Sequence, residues 1–417
     1  MRLISLSTLV LITIMLSCDT PGNVDPIFEN YFTKYYGEDG EQTGVDLVLN
    51  GDGSMILLGN SFSQIDPISP FIVKTDPQGN VLWQRKFKTE NETAVDIQLI
   101  NGGANVAVLT NVQRATTNIC LYLLGQDGNL VDSLYITTLP GNQVGRSVTQ
   151  SSDNGFLITG YKDPNPARNP DIPPPPDQAD ILLLKIDNAL NDVDDLSPGG
   201  GEHVGSGVNT FEINFNTTTY YLVFGYSDRP RRNTASYQMC FQLIASNTDG
   251  VPTGMHEYSE DEISEEQIAS STLKIPPALG DGYLVVGTSR SGTSSDLYLT
   301  RFAKPLSHDA TTQSLDGKIP LGRRIEGVAA ANAAPDGYFV IANEVRENNK
   351  KDIFLVRVER DGAVSWSRSF GSLEGDDIAG GIESLPDGRI AVVGTIQLET
   401  QRKMALIVTN GNGAFSD

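Results

Sequence analysis

The 417-residue chain has 30 Lys and Arg against 52 Asp and Glu, a formal net charge of −22. That balance excludes the cationic footprint that nucleic-acid phosphates require, so nucleic acid is not an expected partner. Three histidines and three cysteines, with no CxxC or Cys/His cluster, give no support to a zinc or redox site, and no cofactor or metal is expected.

From the N-terminus, Arg2 is followed by an apolar run from Leu3 to Leu16, too short to cross a bilayer and of the length of a signal-peptide core. It ends Met15-Leu16-Ser17-Cys18, with a small residue directly before the cysteine. This resembles a bacterial lipobox and implies cleavage before Cys18 and acylation of that residue. Met15 stands where such boxes usually carry Leu. An ordinary secretory signal with an incidental Cys18 is the alternative. Residues 1–17 are therefore expected to be a lipoprotein signal peptide and 18–28 a polar tether carrying Pro21 and Pro26. Residues 29–417 are expected to form one domain.

The rest of the chain repeats a short theme: a turn, an aromatic or aliphatic run, then a small or polar residue. Asp52 opens "DGSMILLGN", Asn154 "NGFLITGY", Asp281 "DGYLVVGT", Asp336 "DGYFVIAN" and Asp387 "DGRIAVVGT", with looser copies at Asn101–Thr110 and Thr218–Tyr226. About seven copies at intervals of roughly 50 to 64 residues mark a propeller-like array. Each copy divides into four runs; in the first they are Val45–Leu49, Met55–Leu58, Phe71–Lys74 and Val81–Phe87. The second run is continuously apolar, as in a strand covered on both faces. Third runs such as "FIVKTD", "DILLLKID" and "DIFLVRVERDG" lead into Asp/Gly turns at Asp76–Gly79, Asp127-Gly128 and Asp361-Gly362.

Copies three and four are irregular. Lys162–Asp177 is an insertion with seven prolines, including Pro173–Pro176, and reads as a stiff extended loop. Past Asp187 the chain passes Asp192, Asp194 and Asp195 into Gly199–Gly201, where the fourth strand should lie, and the sequence does not fix its position. Glu260–Ser271 is the one stretch with a helical reading, a turn with an acidic start. Cys120 and Cys240 sit in apolar strands of non-neighbouring copies and are expected as buried thiols, not a disulfide.

The last copy has no room for a fourth strand, since only "GNGAFSD" follows its third run. A spare fourth strand stands at the other end: Phe32, Lys34, Tyr36 and Gly37 match Trp366, Arg368, Phe370 and Gly371 in order and spacing, and Trp83, Arg85 and Phe87 repeat the alternation. The expected fold is all-β: a seven-bladed β-propeller of four-stranded blades, closed by an N-terminal strand that completes the last blade.

"FIVKTDPQGNVLWQRKF" (Phe71–Phe87) and "DIFLVRVERDGAVSWSRSFG" (Asp352–Gly371), taken with the lipobox, resemble the lipid-anchored β-propellers of Bacteroidota-type bacteria. Copies two to five lack the tryptophan of that pattern. The resemblance implies an outer-membrane lipoprotein acting as a binding or assembly module, and brings no catalytic residues with it.

Function is expected on the face bearing the second-to-third strand loops, which are longer and more varied than the tight turns opposite. These loops collect cations: Arg114, Arg168, Arg229, Arg231, Arg232, Arg290, Arg346, Lys350, Lys351, Arg402 and Lys403. The inter-blade connections are acidic: Glu38-Asp39, Glu90 and Glu92, Glu260–Glu262, and Glu374 with Asp376-Asp377. A rim of binding-face cations around a more acidic centre at Glu38, Asp39, Asp376 and Asp377 is the expected arrangement; solvated charges neutralising one another is the plainer one. No GxSxG elbow or HExxH motif occurs. Facing carboxylates at Glu38-Asp39 and Asp376-Asp377 would be the only basis for glycoside hydrolysis. A calcium loop at Asp187–Asp195 lacks the glycine and final glutamate of an EF-hand. The expected partner is an envelope or outer-membrane protein, with the membrane reached through Cys18; a glycan-binding or glycan-cleaving surface protein is the alternative.

Overall fold

Short turns with carboxylate caps set the spacing of the strands. At residues 50–54 the Gly53 N–H donates to the Asn50 carbonyl (2.9 Å), and Asp52 accepts from the Ser54 N–H (2.9 Å). At Asp76 one carboxylate oxygen accepts the N–H groups of Gln78 (2.9 Å) and Asn80 (2.8 Å), an Asx-type turn that frees Gly79 to take φ +75°. Asp127 and Asp361 cap the equivalent turns through Asn129 and Ala363.

The computed structural model describes residues 30–417 except 88, 90, 138–140, 164–179, 198–204, 216–217, 228–237, 246–251, 259–264, 304–312, 374 and 417. Cys18, the 1–17 signal and 18–28 tether, most of the proline-rich insertion, Arg168, Arg229, Arg231 and Arg232 lie outside the described residues. Tyr31–Asp417 forms one compact unit.

Among the described residues the strands make seven four-stranded antiparallel sheets. The first holds β2 (Glu41–Leu49), β3 (Met55–Phe62), β4 (Ser69–Thr75) and β5 (Val81–Lys86). The second holds β6 (Glu92–Ile100), β7 (Asn105–Gln113), β8 (Thr117–Gly125) and β9 (Leu130–Ile136), and the third β10 (Asn142–Gln150), β11 (Phe156–Asp163), β12 (Asp180–Ile186) and β13 (Val193–Asp195). The fourth has β14 (Gly205–Phe215), β15 (Thr218–Ser227), β16 (Gln238–Ala245) and β17 (Pro252–Tyr258); the fifth β18 (Glu266–Ile275), β19 (Gly282–Ser291), β20 (Ser294–Ala303) and β21 (Gln313–Ile319). The sixth has β22 (Arg324–Asn332), β23 (Tyr338–Val345), β24 (Lys351–Val358) and β25 (Val364–Phe370). The terminal sheet joins β26 (Ile378–Ser384), β27 (Ile390–Leu398) and β28 (Gln401–Thr409) to β1 (Phe32–Tyr36), which lies antiparallel to β28 with Phe32 opposite Val408 and Tyr36 opposite Met404. The fold is an all-β β-propeller of four-stranded antiparallel blades.

The apolar cores lie between sheets, not within one. Leu47, Met55 and Val73 of the first sheet pack with Val393 and Leu406 of the terminal sheet, while Ile56 and Ile72 on the opposite side pack with Val106 and Val108 of the second. Alternate residues of β3 thus serve two cores, which is why the second run of each copy reads as continuously apolar. Each such Leu, Ile or Val contributes about 1.5–3 kcal/mol on burial.

A polar pin accompanies most of these cores. Every innermost strand carries a bulge, and in five of them the N–H at its start is seen to donate to the neighbouring sheet. It meets a side chain on the second strand there: Gly44 to Thr395 (3.1 Å), Ala94 to Asn60 (2.8 Å), Gly145 to Asn111 (2.8 Å), Gly327 to Thr288 (3.1 Å) and Ala379 to Asn343 (2.9 Å). At the other two equivalent places, facing β14 and β18, stand Tyr161 and Tyr226.

The aromatic–cation–aromatic alternation of the outermost strands forms a second latch. Trp83 donates its indole N–H to the Gln126 carbonyl (3.1 Å), and Arg85 reaches Asn129 (2.9 Å), both in the turn of the next sheet. On β1, Lys34 donates to the Gln78 carbonyl (2.6 Å) and to Asn80 (2.8 Å), and the Tyr36 hydroxyl to the Gly79 carbonyl (2.8 Å). A Cβ at Gly79 would lie 2.6 Å from the Phe32 ring, and one at Gly413 would lie 2.7 Å from Trp366. The aromatics therefore cover glycines of the adjoining turn.

Two local expectations change. Of the segment read as a helical turn, Glu260–Ser271, residues 260–264 lie outside the described residues and the part from Glu266 is strand β18, an innermost strand whose bulge between Ala269 and Ser271 breaks the two-residue alternation. The fourth strand of the third sheet is present but three residues long, Val193–Asp195 pairing with Leu184–Ile186. Cys120 is buried and free, as its apolar surroundings suggested.

Candidate functional site

The second-to-third strand hairpins and the connections between sheets share one face, and several described cations of that face are held by the connections or by the innermost strands. Arg346 donates to the carbonyls of Ser372 (3.2 Å), Leu373 (2.9 Å) and Gly375 (2.5 Å) and pairs with Asp352 (3.3 Å). Lys403 holds the carbonyls of Glu38 (2.5 Å) and Gly40 (3.0 Å) in the same way, and also Gln42 (2.9 Å). Lys351 and Arg290 share Glu326 at 2.9 and 3.2 Å, and Arg402 stands 3.9 Å from Glu41. The Lys350 backbone closes the turn with Arg346. Partly exposed pairs of this kind contribute at most about 1 kcal/mol each; their main effect is to fix the connections.

The predicted central acids have similar structural partners. Asp377 is fully buried and accepts the N–H of Gln397 (2.6 Å) and both the N–H and the hydroxyl of Ser372, while Asp376 accepts the Lys351 N–H (2.9 Å). Glu38 accepts from Gln84 (3.0 Å), and the Asp39 carbonyl from Gln42. Asp187 caps its own turn through Asn191 (2.7 Å) and Asp192 (3.1 Å), and Asp195 pairs with Lys162 (2.6 Å). Among the described residues no group of three or more His, Cys, Asp or Glu is placed to hold a metal ion.

The innermost strands hold a different acidic group: Asp46 on β2, Asp96 on β6 and Glu383 on β26. Asp46 and Asp96 occupy the same position after the bulge of their strands. Asp96 accepts N–H groups from Ile97 (2.9 Å) and Val148 (2.7 Å), and Asp46 accepts from Leu47 (2.8 Å). Burial raises both carboxyls, Asp46 the more because Asp96 repels its charge and accepts its proton in a carboxyl–carboxylate hydrogen bond. Burial alone pushes Glu383 up to about 7. A Cβ on Gly381, at the equivalent position of β26, would lie 2.2 Å from the Asp46 carboxylate. Sequence reasoning missed this group. The available signal was Val45-Asp46-Leu47 repeated as Val95-Asp96-Ile97, an acid inside an apolar run at the same place in adjoining copies.

A pocket of about 760 Å³ opens on the looped face, beside the junction of the first and second sheets. Glu92, at the head of β6, forms its buried wall with 1% of its surface exposed. It accepts the hydroxyls of Thr110 and Tyr122 (3.2 Å). Tyr122 stacks on Phe87 at 4.7 Å between centroids, and the Arg114 guanidinium lies 4.8 Å from the Tyr135 ring centre. Burial, then the neighbouring Cys120 and Glu92, raise the Tyr122 hydroxyl, so it remains a donor. Burial likewise pushes the Cys120 thiol up to about 12, which keeps it a neutral wall residue. Arg114 and Glu92 had been marked by charge alone; the tyrosines come from separate runs and carried no signal.

No protein-family model and no curated protein matches the chain. Solved structures similar to it include a streptogramin B lyase, 10% identical over 91% of this chain and 98% of that one, with a TM-score of 0.48. The β-propeller domain of the Trilobed protease from Pyrococcus furiosus, described as having an open velcro topology, is 12% identical over 90% of this chain and 98% of that one, with a TM-score of 0.46. A Synechocystis apocarotenoid oxygenase mutant is 10% identical over 78% and 71%, with a TM-score of 0.47. At these identities the likeness concerns the fold alone.

Proposed function

We propose that this is an exported propeller, anchored in the outer membrane through acylated Cys18, that serves as a non-catalytic scaffold for an envelope protein complex. In this reading the seven sheets act as one closed ring, with β1 as the fourth strand of its last blade and the looped face as the docking surface. One observation carries the choice of face. Ile65, in the β3–β4 loop, and Leu373, in the connection before β26, are each 91% exposed there, on loops fixed by the ties of Arg346 and Asp377 and by the Lys86–Asp66 pair. Apolar side chains presented from a rigid frame are suited to act as anchors in a partner's pockets. The cations of the face then orient the partner rather than supply the affinity.

The experiment is purification of the full-length acylated protein from its native membrane in mild detergent, followed by mass spectrometry. The expected result is a stoichiometric membrane protein, lost in the Ile65→Asp/Leu373→Asp double variant while the thermal midpoint is unchanged. A clean monomer overturns the scaffold. Release of a Cys18→Ser variant into the soluble fraction tests the anchor separately.

A further inference from the structure

We propose that the pocket beside the first and second sheets is a binding site for a small ligand bearing one protonated primary amine, with Glu92 as its counter-charge. The pocket opens on the same looped face as the docking surface proposed above, but it is argued from Glu92 and its own lining and does not rest on that reading. A buried carboxylate is stable only when its charge is compensated. The partners of Glu92 are two neutral hydroxyls, Thr110 and Tyr122, and among the described residues no lysine, arginine or histidine forms an ion pair with it. A carboxylate offers about four lone-pair sites, so about two are left for a ligand N–H.

The remaining walls suit the same group. Thr89 Oγ1 is buried without a hydrogen-bond partner among the described residues, and Ser133 adds a second hydroxyl. Tyr122 and Tyr135 also line the pocket, and aromatic rings attract a cation through their quadrupoles. Arg114 already covers the Tyr135 ring with a positive charge. That disfavours a second ammonium group and selects a monoamine over a diamine. With a single carboxylate and no histidine, the lining lacks the donor set of a divalent metal site. The volume falls in the range of small-molecule pockets, roughly 300–1,000 Å³.

The test is titration calorimetry of the full-length protein in mild detergent with glucosamine, L-alanine and n-butylamine, each beside its N-acetylated form. At least one free amine should bind with a Kd below about 10 mM, and acetylation should weaken it at least about tenfold. Glu92→Gln, which keeps the shape of the side chain, should weaken it about as much, and Tyr135→Leu should weaken it measurably without touching the carboxylate. Near-ultraviolet circular dichroism confirms that each variant is folded. Equal binding of the acetylated probes, unchanged binding by folded Glu92→Gln, or no binding of any free amine at about 10 mM overturns the proposal. If Glu92→Gln fails to fold, the acetylation contrast and Tyr135→Leu decide it.

Discussion

The Tyr36 hydroxyl donates to the carbonyl of Gly79, 43 residues along the chain and in a different sheet, at 2.8 Å. It fastens β1 to the Asp76–Asn80 turn as Trp83 and Arg85 fasten β5 to the turn at Gln126–Asn129. Burial, and then the Asp76 charge, raise the phenol, so it keeps its proton and remains a donor.

Removal of that hydroxyl in Tyr36→Phe is expected to cost about 1 kcal/mol in chemical denaturation, the net worth of one buried hydrogen bond. Gly79→Ala should cost more, about 2–4 kcal/mol, since φ +75° strains an L-residue and the added Cβ meets the Phe32 ring. If both variants melt like the parent, the latch contributes nothing.

Glu383 gives the fold a pH dependence with a definite sign. Its folded carboxyl is raised from 4.5 to about 7, so the protonated form is favoured by folding. Its contribution is complete below the unfolded value and declines as pH climbs from about 4.5 to 7. Glu383→Gln removes the effect. The variant should match the parent near pH 4 and exceed it by up to about 3 kcal/mol at pH 8, as read from denaturant midpoints. A constant difference across that range refutes the assignment.

The Asp46–Asp96 pair predicts an asymmetry between an isosteric change at one acid and a truncation at the other. Asp46→Asn retains a donor toward Asp96 and should leave stability at neutral pH within about 1 kcal/mol of the parent. Asp96→Ala orphans the N–H groups of Ile97 and Val148 and should cost about 2–3 kcal/mol. Equal losses in the two variants count against a proton held by Asp46.

The pins between sheets should add. Asn111 accepts the Gly145 N–H and donates to the Gly145 carbonyl (3.1 Å), and Asn343 accepts from Ala379. Each alanine variant is expected to cost about 1–3 kcal/mol. The double variant should lose the sum within about 0.5 kcal/mol, because the pins share no partner. A marked departure from the sum would show that the junctions communicate.

What the sequence disclosed follows from which interactions are local. The apolar second runs and the Asp/Gly turns are local features, and they are strands and turns where read. The Phe32–Lys34–Tyr36 alternation was legible because the same latch is written again at Trp83–Arg85–Phe87 and Trp366–Arg368–Phe370. Strand β18 misread as a helical turn because a bulge shifts its side chains by one residue, and a period of two does not survive that shift. The ties of Arg346 and Lys403 were hidden for another reason. Their acceptors are backbone carbonyls, which every residue carries and no sequence distinguishes. Asp46 and Asp96 were passed over because their partners arrive from neighbouring sheets, and Glu92 read only as an acid of an inter-blade connection because Thr110 and Tyr122 meet it from two other strands of its own sheet.

The pairing of β1 with β28 also has a consequence in time. Phe32 is synthesised 376 residues before its partner Val408 (408 less 32). At roughly 5–20 residues per second that is an interval of about 20 to 75 seconds. Through that interval the aromatic face of β1 has no strand beside it, while the Asp76–Asn80 turn it will cover is already made. Of the strands in the seven sheets the first to be synthesised is the last to find its neighbour, so assembly of the terminal sheet waits for the synthesis of β28.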